Sequence, residues 1–116
     1  MTGNQDRLLT IAAGLAGAFG VALSAIAAHQ GVETIQTAAA LLLAHAPALL
    51  ALALFAGRTA RLGGLLLFVG VALFSADMVS RAFADDRLFA HAAPIGGVLM
   101  IVGWLAVAVS GLLRRW

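Results

Sequence analysis

The chain has no cysteine, no tyrosine and no lysine, only two prolines, and 10% charged residues over 116 positions. Without cysteine there is no disulfide, no thiolate nucleophile and no Cys-ligated zinc or iron–sulfur centre. All seven basic residues are arginine; against five acids they leave a formal charge of +2. The pI near 11.2 reflects the scarcity of titrating groups and not a basic surface. A nucleic-acid footprint needs Lys and Arg clustered on one face, so nucleic acid is not an expected partner. No phosphate loop, GxGxxG or recognisable Ser/His/Asp arrangement occurs. No residue is assigned as catalytic, an enzyme is not expected, and neither is a cofactor or a metal. Met78, Met100 and the phenylalanines read as packing residues.

What the chain does contain is apolar surface. Hydrophobic residues make up 63% and the mean hydropathy is +1.05. A soluble domain carries about 25% charged residues and about half apolar ones, so lipid is the expected solvent. Four apolar runs, 8–28, 38–56, 62–83 and 92–113, are 19 to 22 residues long. About 20 residues at ~1.5 Å per residue cross a ~30 Å hydrocarbon core. The expectation is an all-α integral membrane four-helix bundle, one domain over residues 1–116. Arg7 and the Ala25-Ile26-Ala27 site give the first run a signal-like look. Its apolar stretch exceeds a signal core, and it is read as a retained helix.

Short connections make consecutive helices antiparallel, an up-down-up-down path. One end then holds Arg7, Arg58, Arg61, Arg114 and Arg115; the other holds Arg81 and Arg87 with Glu33, Asp77, Asp85 and Asp86. The positive-inside rule puts the first end, and both termini, in the cytoplasm. The same bias opposes a dual-topology protein. Small residues recur along the spans: Gly63, Gly70 and Asp77 in the third, Gly96, Gly103 and Ser110 in the fourth, and Gly14, Gly17, Val21, Ser24 and Ala28 in the first. Such stripes let helix backbones approach in lipid, and a seven-residue period favours left-handed crossings near +20°. Pro94 suits the first turn of the fourth helix. Trp104 lies in mid-span and reads as packing, whereas Trp116, beside Arg114 and Arg115, suits the interface.

All three histidines and four of the five acids fall in the outer half. His45 lies about 10 Å, and Asp77 about 9 Å, inside the expected outer ends of their helices, at a shared level. A mid-span Asp costs ~2.5–3.5 kcal/mol, so these groups face inward and need partners. Arg81, four residues after Asp77, has ion-pair spacing. For His45 the candidates are Asp77, Ser75 and the Leu43 carbonyl that Pro47 leaves without a helical donor. The candidate polar cluster is therefore His45, Ser75, Asp77 and Arg81, with His29, His91 and Glu33 at the outer boundary. Asp85 and Asp86 read as solvated loop charges. A helix-tying histidine is the leading reading of His45; proton handling is the alternative. Metal binding by His29, His45 and His91 with Glu33 or Asp77 lacks an i,i+3 or i,i+4 ligand pair, and bis-histidine haem is disfavoured because His29 and His91 sit at the boundary and pocket-forming signals are missing.

Four segments together carry a resemblance: GAFGVALSAIAAH (17–29), ETIQTAAALLLAHAPALLALAL (33–54), LFSADM (73–78) and APIGGVLMIVGWLAVA (93–108). Their order and spacing resemble the YgdD/YwdK family of small bacterial inner-membrane proteins, which has a small eukaryotic transmembrane relative. The matching positions are His29, His45, Ser75, Pro94, Gly96, Gly97, Gly103 and Trp104. Asp77 and Pro47 depart from the family pattern. The resemblance implies a multi-pass inner-membrane protein with four helices and no assigned biochemical activity. The functional expectation is an accessory or structural membrane subunit, with the bilayer, and a homo-oligomer or larger membrane complex, as its partners. The alternative is a small proton-coupled transporter or channel using His45 and Asp77. Four-helix multidrug carriers use an acid in helix one, which has none here.

Overall fold

A computed structural model describes residues 6–55 and 57–113, and it is helical almost throughout. The helices are α1 (Arg7–Gln30), α2 (Glu33–Phe55), α3 (Arg58–Phe83) and α4 (Ala92–Leu113). All four are long and apolar enough to cross a membrane. The readings made above of Arg114, Arg115 and Trp116 lie outside the described residues.

Two helices start earlier than the apolar runs suggest. α2 begins at Glu33, not at residue 38, and α3 at Arg58, not at 62. Polar residues 33–37 look like a loop, yet they form a helical turn: Ile35 is buried and Thr37 Oγ donates to the Glu33 carbonyl at 3.1 Å. The α1–α2 reversal is correspondingly tight. Gly31 sits at φ 66°, donates to the Ala27 carbonyl and leaves only Val32 before α2. That left-handed end is a conformation glycine reaches without a Cβ penalty.

Packing divides the chain into two hairpins, α1 with α2 and α3 with α4, joined chiefly where α2 meets α3. The result is a flattened body of 48 × 26 × 17 Å. Among the described residues α4 brings its backbone close to α3 alone. The expected stripes on these two helices explain why. A Cβ on Gly63 would stand 2.9 Å from the Gly103 carbonyl oxygen, and one on Gly103 would stand 2.9 Å from that of Gly63. Gly70 and Gly96 face each other in the same reciprocal way, at 2.7 and 2.8 Å. Ser110 is only half-buried and continues the seam weakly.

The stripe expected on α1 is rotated from the real one. Val21 and Ala28 are exposed and Gly14 meets no other helix; Gly17, facing Ala46 of α2, and Ser24 are half-buried at the edge of the contact, whereas Leu9, Ala13, Ala16, Gly20, Leu23 and Ala27 are buried. Gly20 takes the Leu43 side chain of α2 against its backbone. In a run made almost wholly of apolar residues, hydrophobicity marks no side as inner. Only steric fit chooses one, and alanines serve it as well as glycines.

Replacing Gly70 or Gly96 with alanine drives a methyl into a facing carbonyl and should lower stability in detergent by about 2–3 kcal/mol. Gly97→Ala meets open space and should be neutral or gain up to about 1 kcal/mol from helix propensity. Thermal unfolding of the three variants checks the seam; equal midpoints for Gly70→Ala and Gly97→Ala would refute it.

Candidate functional site

His45 is 5% exposed and uses both ring nitrogens. Nδ1 lies 2.7 Å from the Leu41 carbonyl one turn earlier, and Nε2 lies 3.1 Å from Trp104 Nε1 on α4. An indole N–H only donates, so Nε2 must carry the lone pair. The proton is therefore on Nδ1, where it is donated to Leu41, and the ring is neutral. The two rings are tilted by 51° with centroids 5.7 Å apart. His29 repeats the local half of this arrangement, its Nδ1 being 2.9 Å from the Ala25 carbonyl, but its ring is exposed.

Neither Asp77, Ser75 nor the Leu43 carbonyl is the partner of His45. For Asp77 and Ser75 the reason is depth; within α2, Nδ1 takes the Leu41 carbonyl instead of that of Leu43. With α2 beginning at Glu33, His45 stands twelve residues, or about 18 Å, from the helix start. Trp104 stands twelve residues from the start of α4. Asp77 is only six residues, about 9 Å, from the end of α3. The two expected partners occupy different levels, and mid-span Trp104 does more than pack: it links α4 to α2 past the intervening α3.

Asp77 is fully buried, with both oxygens engaged. Oδ2 accepts from Arg81 Nε at 2.9 Å, the ion pair expected from the i,i+4 spacing. Oδ1 accepts from the backbone N–H of Leu88 at 2.7 Å. This second bond pulls the α3–α4 connection down over the end of α3. Ser80 Oγ donates to the Asp86 carbonyl at 2.8 Å and fixes the same connection. Asp85 and His91 bear positive φ of 57° and 68°, the local conformational cost of folding the connection back. Backbone N–H partners such as that of Leu88 leave no mark in a sequence.

The remaining boundary residues do not join these groups. His29, Glu33 and His91 are exposed. Among the described residues no three His, Asp or Glu side chains converge as a metal would need. Of the family-motif positions, Gly96 and Gly103 pack in the α3–α4 seam, while Gly97 meets no other helix and Pro94 is exposed. Ser75 is buried without a hydrogen-bond partner.

Asp6 went unnoticed in the sequence. Its Oδ1 caps α1 by accepting from Leu9 N at 3.1 Å, its backbone N–H donates to the Ala53 carbonyl at 3.0 Å, and its Oδ2 pairs with Arg61 Nε. One residue thus ties together the Arg-rich ends of α1, α2 and α3. The cap signal, an Asp just before an apolar run, was legible; the cross-helix partners were not.

The His45–Trp104 bond makes a direct prediction. His45→Ala and Trp104→Phe should each destabilise the protein, and a double-mutant cycle should give a coupling of about 0.6–1 kcal/mol. Strict additivity in detergent unfolding would mean that the two rings do not interact.

With this geometry established, the relatives fall into place. A family model described as a protein of unknown function, DUF423, matches residues 13–97. The UPF0382 membrane protein of Haemophilus influenzae is 35% identical over 115 residues, covering 90% of this chain and 92% of its own. The UPF0382 inner membrane protein YgdD of Escherichia coli K12 is 30% identical over 119 residues, covering 92% and 91%. A UPF0382 membrane protein of Staphylococcus epidermidis is 37% identical over 71 residues, 59% of this chain and 58% of its own. No solved structure matches significantly. The chain belongs to the DUF423 family, the family resembled in its sequence, and is a multi-pass protein of the bacterial inner membrane.

Proposed function

We propose that the chain acts without catalysis, as a structural or accessory subunit of the inner membrane, with its Arg-rich end in the cytoplasm. One observation carries this reading: among the described residues, the two ionisable side chains buried in the helices spend their hydrogen bonds on the chain's own framework. His45 gives one nitrogen to its own helix and one to Trp104. Asp77 gives one oxygen to Arg81 and one to Leu88. A proton carrier needs a group that exchanges partners during its cycle, and each of these groups fastens one element to another. Intramembrane polar residues serve as such fasteners because hydrocarbon offers no competing partner.

Proteoliposomes containing the protein should show no proton flux above empty vesicles under an imposed pH gradient. Cross-linking in native membranes should capture a membrane protein in fixed proportion to this chain. A flux abolished by His45→Ala would overturn the reading in favour of transport.

The orientation rests on the arginine bias. Because the chain has no cysteine, single-cysteine variants give an unambiguous test. A cysteine at Gly57 should react with a membrane-impermeant thiol reagent only from the cytoplasmic side, and one at Asp86 only from the opposite side. The reverse pattern would invert the assignment.

A further inference from the structure

α1 and α3 touch at the Arg-rich end, where Leu9 lies against Gly64 and Asp6 meets Arg61. Beyond that junction they bound a groove of about 540 Å³, lined by Leu15 to Ile26 of α1 and Phe68 to Val79 of α3 and backed by Leu42 of α2. Eleven residue steps on each helix give the groove a length of about 16 Å, roughly one leaflet of a ~30 Å hydrocarbon core. Its wall is apolar except at Ser75. That residue is 6% exposed, and its hydroxyl has no hydrogen-bond partner among the described residues. Thr10 and Thr37 satisfy their hydroxyls on the carbonyl four residues earlier; Ser75 does not.

From the groove and this unsatisfied hydroxyl together we infer a binding site for a neutral lipophile of the alkyl-quinone class, whose ketone oxygen accepts the Ser75 hydroxyl while its tail fills the rest of the groove. Volume and lining suit a small-molecule site, mostly apolar with a single orienting polar group. Depth selects the ligand. Ser75 lies eight residues, about 12 Å, from the end of α3. That helix has 26 residues and is about 39 Å long; centred on a ~30 Å hydrocarbon core, it overhangs by about 5 Å at each end. The hydroxyl therefore sits about 7 Å inside the hydrocarbon, where a phospholipid presents only methylenes because its ester oxygens stay at the boundary. A quinone carries its oxygens on an uncharged ring and takes them to that depth. This inference goes beyond the structural role proposed above and does not depend on it.

The test is a titration of the purified full chain in detergent with decylubiquinone, with decylbenzene and with dioleoyl phosphatidylglycerol, followed by thermal shift and by equilibrium binding. Decylubiquinone should raise the unfolding midpoint and bind saturably, and Ser75→Ala should weaken it about tenfold, the value of one hydrogen bond. Ser75→Thr should restore binding, and Ala72→Leu, which fills the groove from an exposed position, should abolish it. Ser75→Ala alone should leave the ligand-free midpoint unchanged or raise it, because the hydroxyl it removes has no partner. Equal binding of decylbenzene, displacement by the phospholipid at matched concentration, indifference to Ser75→Ala, or no binding at all would each overturn the proposal.

Discussion

The close approach of α3 and α4 at Gly63–Gly103 and Gly70–Gly96 is the constraint on which the rest of the molecule depends. In lipid there is no hydrophobic force between helices, since the tails outside are as apolar as the side chains inside. Association comes from contact and from polar bonds. α4 is the extreme case. Its outer surface includes large exposed apolar residues such as Ile101, Leu105 and Val109, and its backbone rests on α3 alone, through one narrow seam. Only because glycines bring its axis close to α3 does the Trp104 indole reach the imidazole on α2. Widen the seam by a methyl, and the bond between α2 and α4 loses its reach.

Three polar fasteners at three depths hold what the small residues bring together. Asp6 gathers three helix ends at the Arg-rich boundary, His45 and Trp104 meet in mid-span, and Asp77 folds the α3–α4 connection against the opposite end. Each follows the rule that backbone and side-chain polar groups in a hydrocarbon setting are satisfied from within. Their weights differ. Arg81 is 41% exposed at its side chain, so its ion pair is screened, whereas the Leu88 bond to the same carboxylate spans a longer reach of chain and restrains more backbone.

How much of this was legible in the residues depends on the physics that set each part. Length and apolar content determine a crossing helix, and all four helices were readable. The α3–α4 seam was readable too, because glycine at seven-residue intervals has few uses other than close approach. The Asp77–Arg81 pair lies within one helix and follows from spacing alone. The contact face of α1 is not legible, since several faces of that helix are lined with small residues and hydrophobicity distinguishes none of them. The partner of His45 is not legible because its level depends on where α2 starts, and the polar composition of Glu33–Thr37 resembles a loop although it forms the first helical turn. Leu88 and Ala53 contribute backbone groups, which no residue type announces.

The sequence separation of the fasteners orders the assembly of the chain during synthesis. Arg81 follows Asp77 by four residues, so the acid of α3 has its ion-pair partner within its own helix and needs no other helix to supply one. Trp104 follows His45 by 59 residues. Until α4 is made, the imidazole on α2 has its own carbonyl but no indole, and the first hairpin resides in lipid with one lone pair unclaimed. α4 closes that gap, so the bond between the two rings can form only after α4 has entered the bilayer beside α3.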